Sequence, residues 1–266
     1  MLPRNQAGKQ GFPEVPGMSL SQADSTVRPA RTPRFTRLLI IGIVALAVVV
    51  AAAAYGGWYL FLRPAGPTGV SLAGLTLPAA PAPGSLDGTW TVNTSIGTGA
   101  DSSFVGYRVQ EQLASIGANT AVGRTSAVSG TFTLQGTSVT AATINANLTG
   151  LKSDSAGRDG QLSRQGLQTA TYPTATFVLG QPIDLGALPP DGQVVTATAT
   201  GQLTLHGQTR PVQISLQAKR TGGVIAIDGS LPITFADYGI QPPSSFAVLS
   251  VAGNGTMELQ LLFTHS

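Results

Sequence analysis

The sequence predicts an all-β, antiparallel domain carried behind a single transmembrane helix, and three observations lead there. Residues 38–62 contain no charged side chain. From Thr89 onward the apolar residues recur with a period of two and not 3.6. Between these regions lies a proline-rich stretch that suits neither a continuous helix nor a sheet strand.

The uncharged run from Leu38 to Leu62 is 25 residues long. As a helix it would measure roughly 37 Å, against a hydrocarbon core of about 30 Å. A buried core helix is rarely so long and so uniformly apolar, and the apolar stretch of a cleavable signal peptide is shorter. Arg28, Arg31, Arg34 and Arg37 precede the run while Arg63 alone follows it. The positive-inside rule therefore predicts a cytoplasmic N-terminus, a single pass through the cell membrane, and an extracytoplasmic C-terminal domain. Tyr55, Trp58 and Tyr59 stand at the expected outer end, where amphipathic rings favour the headgroup level.

The flanks follow from composition. Residues 1–37 mix Pro, Gly, Gln and Ser with six Lys or Arg against Glu14 and Asp24, and read as a disordered basic tail. Residues 63–85 hold five prolines among Ala, Gly and Thr and read as a semi-rigid linker. Residues 86–266 are left for a single folded domain.

The net charge of +3 is unevenly placed. The tail is basic, whereas residues 86–266 carry eight basic and ten acidic side chains, so the folded part offers no footprint for a phosphate backbone and no nucleic-acid partner is expected. The absence of cysteine excludes disulfides, thiolate nucleophiles and Cys-ligated zinc.

Within the domain, Val212, Ile214, Leu216 and Ala218 alternate with Gln213, Ser215 and Gln217, then turn at Thr221-Gly222-Gly223 into Val224 to Asp228. Upstream, Thr198 to His206 meets the same strand through His206-Gly207-Gln208-Thr209. Further strands are expected at Trp90 to Thr94, Phe104 to Gln110, Thr131 to Gln135, Val139 to Thr149, Ala175 to Leu179 and Val251 to Phe263, eight or nine in all. Asp154 to Thr169 alone reads as helical, and Gly157, Gly160 and Gly166 make it short and irregular. Such a set can form a sandwich or a closed barrel. Ten aromatic side chains among much Ala, Thr and Gly point to an incompletely filled interior.

Several blocks, in order, resemble the YceI-like family of lipocalin-like, polyisoprenoid-binding proteins. They are Trp90-Thr91-Val92, Arg158-Asp159-Gly160-Gln161-Leu162, Tyr172-Pro173-Thr174-Ala175-Thr176-Phe177, the run from Gly201 to Val212, and Tyr238-Gly239-Ile240. Two departures stand out. Family members often carry an Arg two residues before an Asp-Phe-Gly-Ile run, where this chain reads Phe235-Ala236-Asp237-Tyr238-Gly239-Ile240, and the His common in the second strand is missing from residues 104–112. The resemblance implies an eight-stranded antiparallel lipocalin-like barrel with one short irregular helical segment. It also implies an elongated apolar lumen for an isoprenoid or similar long-chain lipid, and binding without catalysis.

No Gly-x-Ser-x-Gly elbow, His-Glu-x-x-His helix or phosphate-cradling loop is present, and the two histidines, His206 and His265, read as structural. No metal or cofactor is expected, since Asp154, Asp159 and Asp184 lack the spacing of a calcium loop. Candidate lumen positions are Phe104, Phe132, Ile144, Leu148, Phe177, Ile214, Leu216 and Phe263, although any core would use the same residues. Arg158, beside Asp159, could face a lipid headgroup from a segment over the barrel mouth, or simply order that segment through an ion pair or helix cap. A filled sandwich acting as a cell-surface interaction module is the alternative to lipid binding, and an exported hydrolase comes third.

Overall fold

The computed structural model describes residues 34–57, 67–78, 80–114, 117–243 and 248–266. The chain divides into two units, residues 1–62 and 63–266. In the first, Arg34–Gly57 forms helix α1, and its described apolar side chains, among them Leu38, Val44 and Val49, are exposed. Among the described residues, no helix is long and apolar enough to cross a membrane. The expected span runs on to Leu62, and its residues 58–62, like residues 1–33 of the expected tail, lie outside the described residues.

The second unit is a closed antiparallel barrel. Its strands are β1 (Gly88–Val92), β2 (Phe104–Leu113), β3 (Gly117–Thr125), β4 (Val128–Gln135), β5 (Ser138–Asn147), β6 (Lys152–Ser153), β7 (Thr174–Leu179), β8 (Ile183–Asp184), β9 (Val194–Leu205), β10 (Gln208–Thr221), β11 (Val224–Thr234), β12 (Val248–Val251) and β13 (Asn254–His265). Eight of them follow one another around the ring in the order β1, β4, β5, β7, β9, β10, β11 and β13, and β13 pairs back onto β1. Closure leaves the ring no free edge and decides the barrel against the sandwich.

Strand β13 makes this possible because its two ends take different partners. Thr256 to Gln260 pair with β2, while Phe263 to His265 pair with β1, so the two strands share one edge of β13 on either side of residues 93–103. β3 continues β2 as a hairpin and, after a break at residues 126–127, leads into β4.

Local sequence explains the sharpest corners. His206-Gly207 joins β9 to β10, and both residues have positive φ, 51° and 73°, the two-residue turn whose twist matches that of the strands. His206 is held there by Nδ1 at 2.9 Å from the Tyr238 carbonyl and by the Tyr172 ring, centroid to centroid 4.4 Å. The expected helical segment is helix α2 (Ala156–Gln161), continued by a π-helical turn at Leu162–Gly166. The Ser155 hydroxyl caps α2 by accepting from the Arg158 amide.

The interior begins at one end with a filled layer. Trp90 is fully buried, stacks on Phe132 at 6.1 Å and donates its indole N–H to the Leu86 carbonyl. Phe132 meets Phe263 edge to face at 4.9 Å. Beyond this layer the inward residues no longer fill the barrel.

A second apolar cluster lies on the outside. From residue 67 on, the segment expected to be a linker packs on the barrel wall, where Leu72 and Leu75 are buried with Val224, Ala226 and Leu262. Arg108 donates to the Pro67 carbonyl, the Arg124 guanidinium to the Thr68 carbonyl at 2.9 Å, and Gly223 to the Ala80 carbonyl at 2.9 Å. Proline density argued against regular structure, and regular structure is indeed absent from residues 67–78 and 80–85. Three leucines in it, Leu72, Leu75 and Leu77, nevertheless find an apolar strip, because Val224, Ala226 and Leu262 are outward residues of β11 and β13.

This strap generates a prediction. Leu72, 2 % exposed, should behave as a core residue, so Leu72→Ala is expected to cost about 2–5 kcal/mol of stability. Chemical denaturation of the full chain in detergent, followed by the fluorescence of buried Trp90, measures it. A loss within about 0.5 kcal/mol, as at an ordinary surface position, would show that the strap does not hold.

Candidate functional site

Inward positions alternate with outward ones along every strand of a barrel, so one residue per pair faces the lumen. On β10 these are Val212, Ile214, Leu216 and Ala218; on β9, opposite them, Gly201, Ala199, Ala197 and Val195. Large residues thus face small ones, and space is left between. Gly201 shows why. A Cβ there would lie 2.7 Å from the Phe177 ring, so glycine is what lets Phe177 lie flat across β9.

The space takes the form of two apolar cavities. The first, about 180 Å³, is lined by residues including Val105, Val109, Leu148, Leu167, Leu203, Phe235 and Met257. The second, about 150 Å³, lies towards Leu86, Leu185, Leu188, Val195, Leu216 and Phe263. Ile144, Phe177, Ile214 and Leu259 line both, so the cavities meet at a waist made of these four side chains. Apolar cavities of this size stay dry and accept apolar ligands.

Polar groups are confined to the cavity ends. At the first cavity, Arg158 donates from Nη2 to Glu111 at 2.6 Å and from Nη1 to the Ser153 hydroxyl at 3.3 Å, and it also pairs with Asp154. Asn119 donates to the same Glu111 oxygen at 2.6 Å, and Asp159 accepts from both the amide and the hydroxyl of Ser153. Glu111 is 7 % exposed, a depth at which a carboxylate needs such partners. Tyr107 stands beside this cluster in the cavity wall, its phenol pushed up to about 12 by burial, with Asp159 and Glu111 adding to the rise and Arg158 opposing it. It is therefore a neutral hydrogen-bonding group. At the far end, Arg220 pairs with Asp191 at 2.8 Å, and Asp191 also accepts from the Gly222 amide. These bonds hold the loop that carries Leu188 and Pro189 over the second cavity.

The sequence-predicted positions fall unequally. Phe132, Ile144, Leu148, Phe177, Ile214, Leu216 and Phe263 all line one or both cavities. Phe104 does not: it faces outward from β2, under the Arg124 guanidinium at 4.0 Å from the ring centroid. The inward residues of that strand are Val105, Tyr107, Val109 and Glu111, whose alternation was present in the sequence but was outweighed by the size of Phe104. Arg158 does line the first cavity, and it also makes the local ion pairs of the other reading. Its guanidinium orders the α2 segment and presents an edge to the lumen. Tyr107, Glu111 and the waist residue Leu259 were not anticipated as site residues. Among the described residues no group of His, Asp and Glu could hold a metal ion.

The barrel is similar to solved structures, all at low identity. A polyisoprenoid-binding domain from Saccharophagus degradans, implicated in plant cell wall breakdown, superposes with a TM-score of 0.52 at 18 % identity, covering 68 % of this chain and 99 % of that one. BcnA of Burkholderia cenocepacia gives a TM-score of 0.47 at 20 % identity over 60 % of this chain and 95 % of that one. The YceI protein of Campylobacter jejuni gives 0.45 at 12 % identity over 54 % and 84 %. No curated protein sequence matches the chain. The sequence pattern of the YceI-like domain matches residues 95–263, which takes in every strand of the ring except β1. With its closed barrel and divided apolar lumen, the chain belongs to the YceI-like family.

Proposed function

We propose that this chain is a membrane-tethered, extracytoplasmic lipid-binding protein whose lumen takes up a polyisoprenoid or similar long apolar chain for transport or storage. The observation that carries the reading is the pair of dry apolar cavities meeting at a waist of mobile-type side chains, Ile144, Phe177, Ile214 and Leu259. A rotamer change at the waist would join them into a single apolar tunnel. Burial stabilises such a ligand by about 0.8 kcal/mol per CH₂. About ten buried carbons, two isoprene units, then suffice for near-micromolar affinity.

The polyisoprenoid-binding domain of Saccharophagus degradans supports the choice of ligand, as a structural neighbour with the same barrel. In this reading Arg158, Tyr107 and Glu111 meet the polar end of the ligand, and the lumen residues Phe132, Leu148, Leu216 and Phe263 meet its chain. The reading requires no catalytic step. The Nδ1 of His206 meets the Tyr238 carbonyl, where a Ser-His-Asp triad would have a carboxylate.

The tether rests on the sequence. The uncharged run from Leu38 to Leu62 is the proposed membrane span, and four arginines before it against one after it support an external barrel. An attached barrel works at a raised local concentration of membrane lipid.

Two measurements test these proposals. The full chain, purified in detergent and extracted with organic solvent, should release a long-chain isoprenoid or comparable lipid in near-stoichiometric amount. Leu216→Trp, which fills the second cavity, should release several-fold less while the chain stays folded, because the indole enters existing space. Lipid-free protein that also takes up no added polyprenyl lipid would favour the surface interaction module instead. For topology, a reporter active only outside the cytoplasm should be active after Ser266 and inactive at Met1; the opposite pattern would reject the external barrel.

A further inference from the structure

The outer wall of the barrel is unlike an ordinary protein surface. Strands β4, β5, β7 and β9, four neighbours in the ring, contain no Asp, Glu, Lys or Arg. Their outward positions carry mostly Thr, Ser, Asn and Gln, with Val178 and Val194 the exposed apolar exceptions, and the adjoining part of β10 adds Gln213, Ser215 and Gln217. Some of these side chains pair across strands, as Thr204 does with Thr209 at 2.8 Å and Thr176 with Asn145 at 2.9 Å.

One part of the wall differs. Where the strap crosses it, Val70 and Ser71 form the side of a groove of about 590 Å³ whose floor is the outer face of β9, β10 and β11. The strand registers place the floor residues in two rungs, Thr198–Ser215–Ser230 and Thr196–Gln217–Asp228. Strands stand about 4.8 Å apart and the rungs about 6.8 Å apart, which spaces the polar groups on the scale of a sugar ring. Among the described residues none of the five neutral side chains hydrogen-bonds to another protein group, and all five are exposed. At the end of the second rung Asp228 is only 4 % exposed, beneath the Leu72 end of the strap. Burial raises its carboxyl above the usual range, against the opposing effect of the Leu72 and Gln217 amides. A carboxylate kept at such a depth still offers free lone pairs to a hydroxyl donor.

We propose that this groove binds a neutral polyhydroxylated chain, an oligosaccharide segment, whose hydroxyls bond to the two rungs and donate to Asp228. The chemistry of the groove selects against other partners. A protein interface needs buried aromatic, Arg or large aliphatic anchors, and the groove offers only the half-buried Val70 at its side, since Leu216 of the floor turns its side chain to the lumen. An anionic polymer would meet a carboxylate and no Lys or Arg; a cationic one would find only a single buried charge. Uncharged hydroxyls and an amide match a ligand that presents many weak donors and acceptors and no charge. With no aromatic ring to stack on, binding should be in the millimolar range. The site is separate from the lumen, since Thr196, Thr198, Ser215, Gln217 and Ser230 point away from it.

Saturation-transfer difference NMR on the full chain, in a detergent without a sugar headgroup, tests the proposal with cellohexaose, maltohexaose and N-acetylchitohexaose as probes. At least one should give transfer to its ring protons at millimolar concentration. Ser215→Glu, an exposed substitution that adds a charge to the middle of the first rung, should weaken that binding at least tenfold while the chain retains its barrel spectrum by circular dichroism. Gln217→Ala should weaken it several-fold. Silence of all three probes at ten millimolar, undiminished binding by Ser215→Glu, or equal binding of the anionic hexamer of galacturonate would each overturn the proposal.

Discussion

The structure depends on one strand, β13, and on its having two different edges. Along one side it pairs with β11 from Val224 to Thr234 without interruption; along the other it passes from β2 to β1. The barrel closes only because of this. Its last residues also serve both faces of the wall. Leu261 and Phe263 enter the lumen, while Leu262, fully buried on the outside, receives the strap. Removing apolar character at either parity would open the ring or release the segment that precedes it.

From this closure follows the separation of polar and apolar groups. Two charged clusters, Arg158 with Glu111 and Arg220 with Asp191, stand at the two ends of the lumen, and the long interior between them is aliphatic and aromatic. A third cluster, Arg108 and Arg124 around Glu258, lies outside and fastens the beginning of the strap. With few charges in the domain, many of them hold a loop or segment in place. The rest of the wall is left neutral, which accounts for the low charged fraction of the sequence.

Much of this was legible beforehand, for physical reasons that differ between elements. The β9–β10 hairpin was plain because period-two alternation and the His206-Gly207 turn agree on the same register. β3 was not, because Gly117 to Thr125 is built of Gly, Ala, Asn and Thr with a single Val and Arg124, and shows too little apolar contrast to display a period. Its small residues are needed where they are: Gly123 leaves room for the Tyr107 ring, whose Cζ lies 2.7 Å, and a neighbouring ring carbon still less, from where a Cβ would sit. The strap was hidden for the opposite reason. Its prolines announce irregular backbone, and irregular backbone was equated with an unattached linker, although the unbroken Leu261-Leu262-Phe263 run signals a strand covered on both faces. For the site, seven apolar positions were found by size and alternation, Phe104 was misplaced by size alone, and the Glu111 partner of Arg158 is distant in sequence and visible only in the fold.

The central claim is that a single extended chain occupies both cavities by parting the waist. Photolabelling tests it most directly, with a polyprenyl probe that carries a diazirine at its apolar terminus and is incubated with the full chain. A chain lying through the lumen predicts adducts on second-cavity residues such as Leu188 and Leu216 when the polar end sits at Arg158, and loss of those adducts in a Phe177→Trp variant that blocks the waist. Adducts confined to the first cavity or to the outer wall, or an unchanged pattern in the variant, would contradict it.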